Sequence, residues 1–80
     1  MTSHRARARF VVCIDPGAND DLQARRIYRA LPDASAARSK YIRVVDDSGE
    51  DYLYPERLFL PVQLSLAARE ALSELGAAGR

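Results

Sequence analysis

The stretch Tyr41-Ile42-Arg43-Val44-Val45-Asp46-Asp47-Ser48-Gly49-Glu50-Asp51-Tyr52-Leu53-Tyr54-Pro55 decides how this chain folds. Residues 41–45 and 50–54 are rich in the β-branched and aromatic side chains that suit a pleated, half-buried surface. Between them, Asp46 to Gly49 fits a type I turn followed by a residue in the left-handed region. The Asp side chains can accept bonds from local N–H groups, and glycine takes positive φ without penalty. A β-hairpin is the expectation. Pro55 has no N–H for a ladder, so Pro55-Glu56-Arg57 reads as a turn or a short 3₁₀ segment. In the run that follows, Leu58, Leu60, Val62 and Leu64 alternate with Phe59, Pro61 and Gln63, the pattern of a partly buried edge strand.

Toward the N-terminus, Phe10-Val11-Val12-Cys13-Ile14 is short, apolar and stopped by Asp15-Pro16-Gly17, so it reads as a buried strand ending in a turn centred on Pro16-Gly17. Residues 20–31 satisfy two patterns. Ala24, Ile27, Tyr28 and Leu31 fall on one helical face with Asn19 or Asp20 as a cap, whereas 25–31 also reads as a strand ended by Pro32. In the second reading, residues 33–39 form a loop or a single helical turn. Beyond Leu64 the period becomes helical, with Leu64, Ala67, Ala68, Ala71, Leu72 and Leu75 on one face, Arg69, Glu70, Ser73 and Glu74 on the other, Ser65 as N-cap and Gly76 as terminator. So short a helix needs a surface to pack against, either the sheet or a second chain.

Eighty residues support one small core and one domain. The 12 basic and 11 acidic side chains nearly cancel, which excludes a composition committed to nucleic acid or to acidic disorder. Cys13 is the only cysteine and sits in the apolar run, as a small buried hydrophobe in a reduced, cytoplasmic protein would. The apolar run after the basic start is too short for a signal peptide or a membrane span, so no membrane association is expected.

Ile14-Asp15, Tyr28 to Asp33, and above all Gly49-Glu50-Asp51-Tyr52-Leu53-Tyr54-Pro55 with Phe59-Leu60-Pro61-Val62 carry a resemblance. Over residues 9–63 the chain resembles a group of small uncharacterised bacterial and phage-associated proteins. The resemblance implies a mainly β fold, a five-stranded SH3-like barrel with 26–31 as its second strand, followed here by a C-terminal helix. It implies no activity. Arg25 stands where that group often has glycine, and the tail after Leu64 is longer. The expected organisation is a basic arm at 1–8, the barrel at 9–63 and an amphipathic helix at 64–76. The alternative is an α+β arrangement with a helix at 20–31 on a three- to four-stranded sheet.

The acidic turn lacks the spacing that each catalytic or metal site of this composition needs. Glycosidase carboxylates face each other across a cleft in unlike environments, whereas Asp46, Asp47, Glu50 and Asp51 are neighbours at a hairpin tip exposed to water. An EF-hand loop places glycine sixth, and here it is fourth from Asp46. His4 is the only histidine and lies in the arm, which leaves Cys13 and the serines without a base and zinc without ligands. No glycine-rich phosphate loop exists. We expect no metal, no cofactor and no catalytic residue.

Binding is the better expectation. Tyr28, Tyr52 and Tyr54, with Asp15, Asp47 and Glu50, form an acidic, tyrosine-bearing face suited to a basic protein or peptide. The plainer alternative is that the tyrosines close a small core with their hydroxyls at its rim. A nucleic-acid-binding role would use Arg5, Arg7 and Arg9 with Arg25, Arg26 and Arg29. Self-association through the Ala-rich helix face, as a weak homodimer, is the third option.

Overall fold

The computed structural model describes residues 9–78, and the side chains of residues 9–72. The arm at 1–8, with His4, Arg5 and Arg7, lies outside the described residues. Five strands run in the order β1 (Arg9–Cys13), β2 (Ile27–Leu31), β3 (Tyr41–Val45), β4 (Asp51–Pro55) and β5 (Phe59–Val62). Two helices, α1 (Ala34–Arg38) and α2 (Leu66–Ala78), and a 3₁₀ turn at Glu56–Leu58 complete the chain. The strands form one antiparallel sheet ordered β4-β3-β2-β1-β5. The first four make a meander, and β5 returns beside β1. The sheet is not closed into a barrel: β4 and β5 are its two edges.

The hairpin forms as its residues dictate. Tyr41 pairs with Pro55 and Val45 with Asp51. The turn is closed by Gly49 N–H donating to Asp46 O (2.9 Å), and Gly49 takes φ of 87°. The Pro16 turn sits one residue later than its sequence implies. Asn19 N–H donates to Pro16 O (3.0 Å), so Gly17 and Ala18 are the central pair, with Gly17 at φ 58°.

The helix alternative for residues 20–31 is overturned. Tyr28 and Ala30 point into the core by the period of two, and Ile27 lies on the other face. What breaks the helix is Arg25. Its φ is 68°, and Arg25 and Arg26 together oppose Cys13: Arg25 N–H donates to Cys13 O (2.7 Å) and Cys13 N–H to Arg26 O (2.9 Å). Two residues facing one is a β-bulge, and its first position is where a left-handed glycine commonly sits. The helical spacing of Ala24, Ile27, Tyr28 and Leu31 was thus a coincidence that non-local pairing overrode.

Pro32 ends β2, and Asp33 caps α1 by accepting from Ala36 N–H (2.9 Å). That helix stops at Lys40, which takes φ of 62° and whose carbonyl accepts from Glu56 N–H (3.0 Å).

One face of the sheet carries the core: Val11, Cys13, Tyr28, Ala30, Val44, Tyr54 and Phe59, joined by Leu22 and Leu58 from the connections. Phe59 sits edge-on between two rings, 6.5 Å from Tyr28 and 6.2 Å from Tyr54, a geometry that aligns ring edges with ring faces. Leu60, expected to face inward with Leu58, is 52% exposed, because the 3₁₀ turn puts Leu58 and Phe59 both inside and resets the alternation.

On the opposite face Phe10 is buried, and the Arg69 guanidinium of α2 lies 5.3 Å from its ring centroid. Ser65 caps α2 as expected, accepting from Ala68 N–H (3.1 Å). Two readings of this helix change. Gly76 lies within it rather than ending it, and among its described side chains Ala68, Arg69 and Leu72 are half-buried while Ala67 and Ala71 are exposed. Arg69 turns inward because its guanidinium can stack on Phe10 while its stem covers apolar surface.

Candidate functional site

The strands carry the two ends of the molecule about 13 Å apart, four steps of strand rise. At one end lie the loop after β1 and the hairpin tip. At the other lie α1, the start of β1 and the end of β5, and the 3₁₀ turn runs between the two: Glu56 N–H donates to Lys40 O (3.0 Å), whereas Leu58 O accepts from Ile14 N–H (2.8 Å) and Asp15 N–H (3.4 Å).

The acidic turn is at the first end, and its carboxylates are divided between two clusters. Asp46 is 5% exposed. It follows Val44 by two residues, so strand alternation turns it inward. Its Oδ1 accepts from Ser48 N–H (2.9 Å) and from the Ser48 hydroxyl, and its Oδ2 accepts from the Tyr54 hydroxyl. Burial alone pushes the Asp46 carboxyl up, but the bonds from Ser48 and Tyr54 outweigh it and hold the group below the usual carboxylate range. Burial, with the hydrogen bond to Asp46 second, raises the Tyr54 phenol well above its ordinary value.

Asp47 turns the other way and holds the β1–β2 loop. Its Oδ2 accepts from the Tyr28 hydroxyl (3.0 Å) and Gln23 Nε2 (3.1 Å), and Arg26 pairs with its Oδ1 at 3.4 Å. Asp47 N–H donates to Asp21 O (2.9 Å), and Gln23 N–H donates to the Tyr28 hydroxyl (2.8 Å). Burial pushes the Tyr28 phenol up to about 12.

The six expected ligand residues are therefore placed as follows. Tyr28 and Tyr54 are buried with their hydroxyls committed to Asp47 and Asp46. Tyr52 is 49% exposed and donates to Glu50 (2.9 Å), and Asp15 closes its own turn by accepting from Gly17 N–H (3.0 Å). Asp47, Glu50, Tyr52 and Asp15 reach the surface; Tyr28 and Tyr54 do not. The expectation that water screens all four turn carboxylates is corrected for Asp46, and Asp51 is engaged by Arg43 (3.0 Å). Asp46, Gln23 and Ser48 complete these clusters; the alternation from Val44 was the signal for Asp46.

Cys13 is a free, fully buried thiol whose pKa burial raises, the opposite of an activated nucleophile. Among the described residues no three His, Cys, Asp or Glu side chains gather as metal ligands. No helix among them is long and apolar enough to cross a membrane.

Among the described residues, the nucleic-acid set does not gather into one patch. Arg25 and Arg26 form the bulge at the acidic end, Arg29 lies mid-strand, and Arg9 begins β1 at the far end. A hollow of about 410 Å³ between Leu72 of α2 and the hairpin includes Arg26, Arg29 and Phe10, with Asp47 balancing Arg26.

The far end holds a larger cleft, about 720 Å³, that the sequence did not reveal. One wall is α1 and the residues that follow it, the other is the 3₁₀ turn and β5. Val11, Ile42, Phe59 and Pro61 supply apolar surface, and Arg9, Lys40, Arg43 and Arg57 supply cations against Asp33 and Glu56. Arg43 is held between Asp33 (2.9 Å) and Asp51 (3.0 Å). The Ala36 N–H bond first, and Arg43 second, keep the Asp33 carboxyl below its usual range. These residues come from separate elements, so no local spacing links them.

Comparison with protein-family models, with curated protein sequences and with solved structures gave no match to this chain.

Proposed function

We propose that this chain is a non-catalytic protein- or peptide-binding module that takes its ligand in the cleft between α1 and β5. The observation that carries this reading is the cleft itself: a 720 Å³ concavity with an apolar lining and charged rim, within the size range of ligand sites. The acidic end, by contrast, spends two of its tyrosine hydroxyls and two of its carboxylates on internal bonds. The strand order, with a 3₁₀ turn between β4 and β5, supports reading the sheet as an open SH3-like barrel. The sole cysteine, buried and unpaired, supports a reducing cytoplasmic setting.

The test is amide chemical-shift mapping with peptides selected on the purified chain from a random display library. Shifts at Lys40, Arg57 and Leu60 support the cleft. Shifts confined to Asp15, Glu50 and Tyr52 would move the site to the acidic face and refute this assignment.

A further inference from the structure

We infer that the cleft selects extended, acidic peptide segments. This rests on the binding reading above and goes further by fixing the charge of the ligand. Arg9, Lys40 and Arg57 are exposed, come from β1, the α1–β3 junction and the 3₁₀ turn, and make no ion pair among the described residues. Arg43 in the same cleft is already neutralised by Asp33 and Asp51. The rim therefore presents three uncommitted cations against one uncommitted anion, Glu56, around an apolar floor of Ile42 and Pro61 over the buried Val11 and Phe59.

A segment in β conformation sends alternate side chains to opposite sides. Carboxylates on one side of it meet the rim while apolar side chains on the other meet the floor. Specificity comes from these contacts rather than from strand addition, since Pro61 interrupts the donors of the β5 edge. The acidic end reinforces the choice. Asp20, Asp21, Asp47 and Glu50 are exposed at the hairpin tip and the β1–β2 loop beside it, so an acidic ligand is repelled there and drawn to the cleft. A nucleic acid fits less well, because Tyr41 is the one exposed aromatic in the cleft on which a base could stack.

The experiment uses three synthetic peptides of about twelve residues, roughly 40 Å when extended, in which apolar residues alternate with Glu, with Lys or with Ser. Each is titrated into the labelled full chain at roughly 20 mM and 200 mM salt, where screening lengths differ severalfold. The Glu peptide is expected to shift Lys40, Arg57 and Leu60 and to bind at least about tenfold more tightly than the other two at low salt, a difference of about 1.4 kcal/mol. That preference should shrink at high salt. The double reversal Arg9→Glu with Arg57→Glu should abolish it and transfer it toward the Lys peptide, with the far-UV spectrum unchanged.

Equal binding of the Ser peptide at the cleft would overturn acidic selectivity while leaving a peptide site. Tighter binding of a single-stranded oligonucleotide to the same residues would overturn it in favour of nucleic acid, and a dimer dissociated by the same reversal would overturn it in favour of a second copy. If none of the three peptides shifts any cleft residue, the binding reading itself falls.

Discussion

Replacing Tyr54 by Phe removes one oxygen from the buried Asp46 cluster and nothing else, so it isolates what that hydroxyl contributes. Tyr54 is 8% exposed, and its hydroxyl donates to a carboxylate oxygen that receives no other bond among the described residues. A hydrogen bond to a charged group is worth about 1.5–3 kcal/mol, and a buried acceptor left unpaired retains its desolvation cost. The ring volume is kept, so no cavity term adds. We expect Tyr54→Phe to lose about 2 kcal/mol. With a urea slope near 1 kcal/mol/M for a chain this small, the unfolding midpoint followed by far-UV circular dichroism falls by about 2 M.

The loss has a pH signature whose sign is fixed. The Tyr54 phenol is raised in the folded chain, so the protonated form stabilises the fold; that contribution is whole below the ordinary phenol value and is lost as pH rises from there toward the folded value. The Asp46 carboxyl is lowered, so its contribution is whole above the ordinary carboxylate value and is lost as pH falls through the folded one. The gap between wild type and variant is therefore widest from about pH 5 to 9 and narrows at both extremes. A difference below about 0.5 kcal/mol at neutral pH, or a gap that stays constant into alkali above about pH 10, would refute the account of this cluster.

Four further variants test other parts of the fold. Arg25→Gly should leave stability equal or improved by up to about 1 kcal/mol, because relief of the left-handed strain offsets glycine's entropy; Arg25→Val should cost about 1–2 kcal/mol, both read by urea unfolding. Gly49→Ala meets no atom within 4 Å, so its cost of about 1–2 kcal/mol is backbone strain alone, and an unchanged midpoint would count against the turn geometry. Phe10→Ala empties the seat under Arg69 and should cost about 3 kcal/mol, with faster amide exchange in α2 than in β3.

What was legible in the sequence was what is local. The Asp46–Gly49 turn, the Asp33 region and the Ser65 cap each depend on residues within a few positions, and each forms as expected. Residues 25–31 were ambiguous because the evidence that decides between strand and helix, the bulge opposite Cys13 and the pairing with β1 and β3, lies far along the chain. The hint was Arg25 in a glycine position. Asp46 was legible in principle, since it shares a face with Val44, but a run of carboxylates reads as solvent-exposed until a phenol is seen to point back at it. The Tyr28–Asp47 bond joins residues 19 apart, and the cleft draws its cations from Arg9, Lys40 and Arg57. No window along the chain contains such a set.

Adjacent carboxylates at the hairpin tip serve opposite masters: Asp46 gathers Tyr54 and Ser48, and Asp47 reaches across to Tyr28, Gln23 and Arg26. Exposed loop tips are ordinarily where a chain accepts added residues. Here a single residue inserted between the two would rotate one of them out of its cluster. A tag or epitope grafted at this bend would therefore detach either the long loop or the inner tyrosine, whereas the turn at Gly17 and Ala18, which is exposed and held by local bonds among Asp15, Pro16, Gly17 and Asn19, offers the gentler place to graft one.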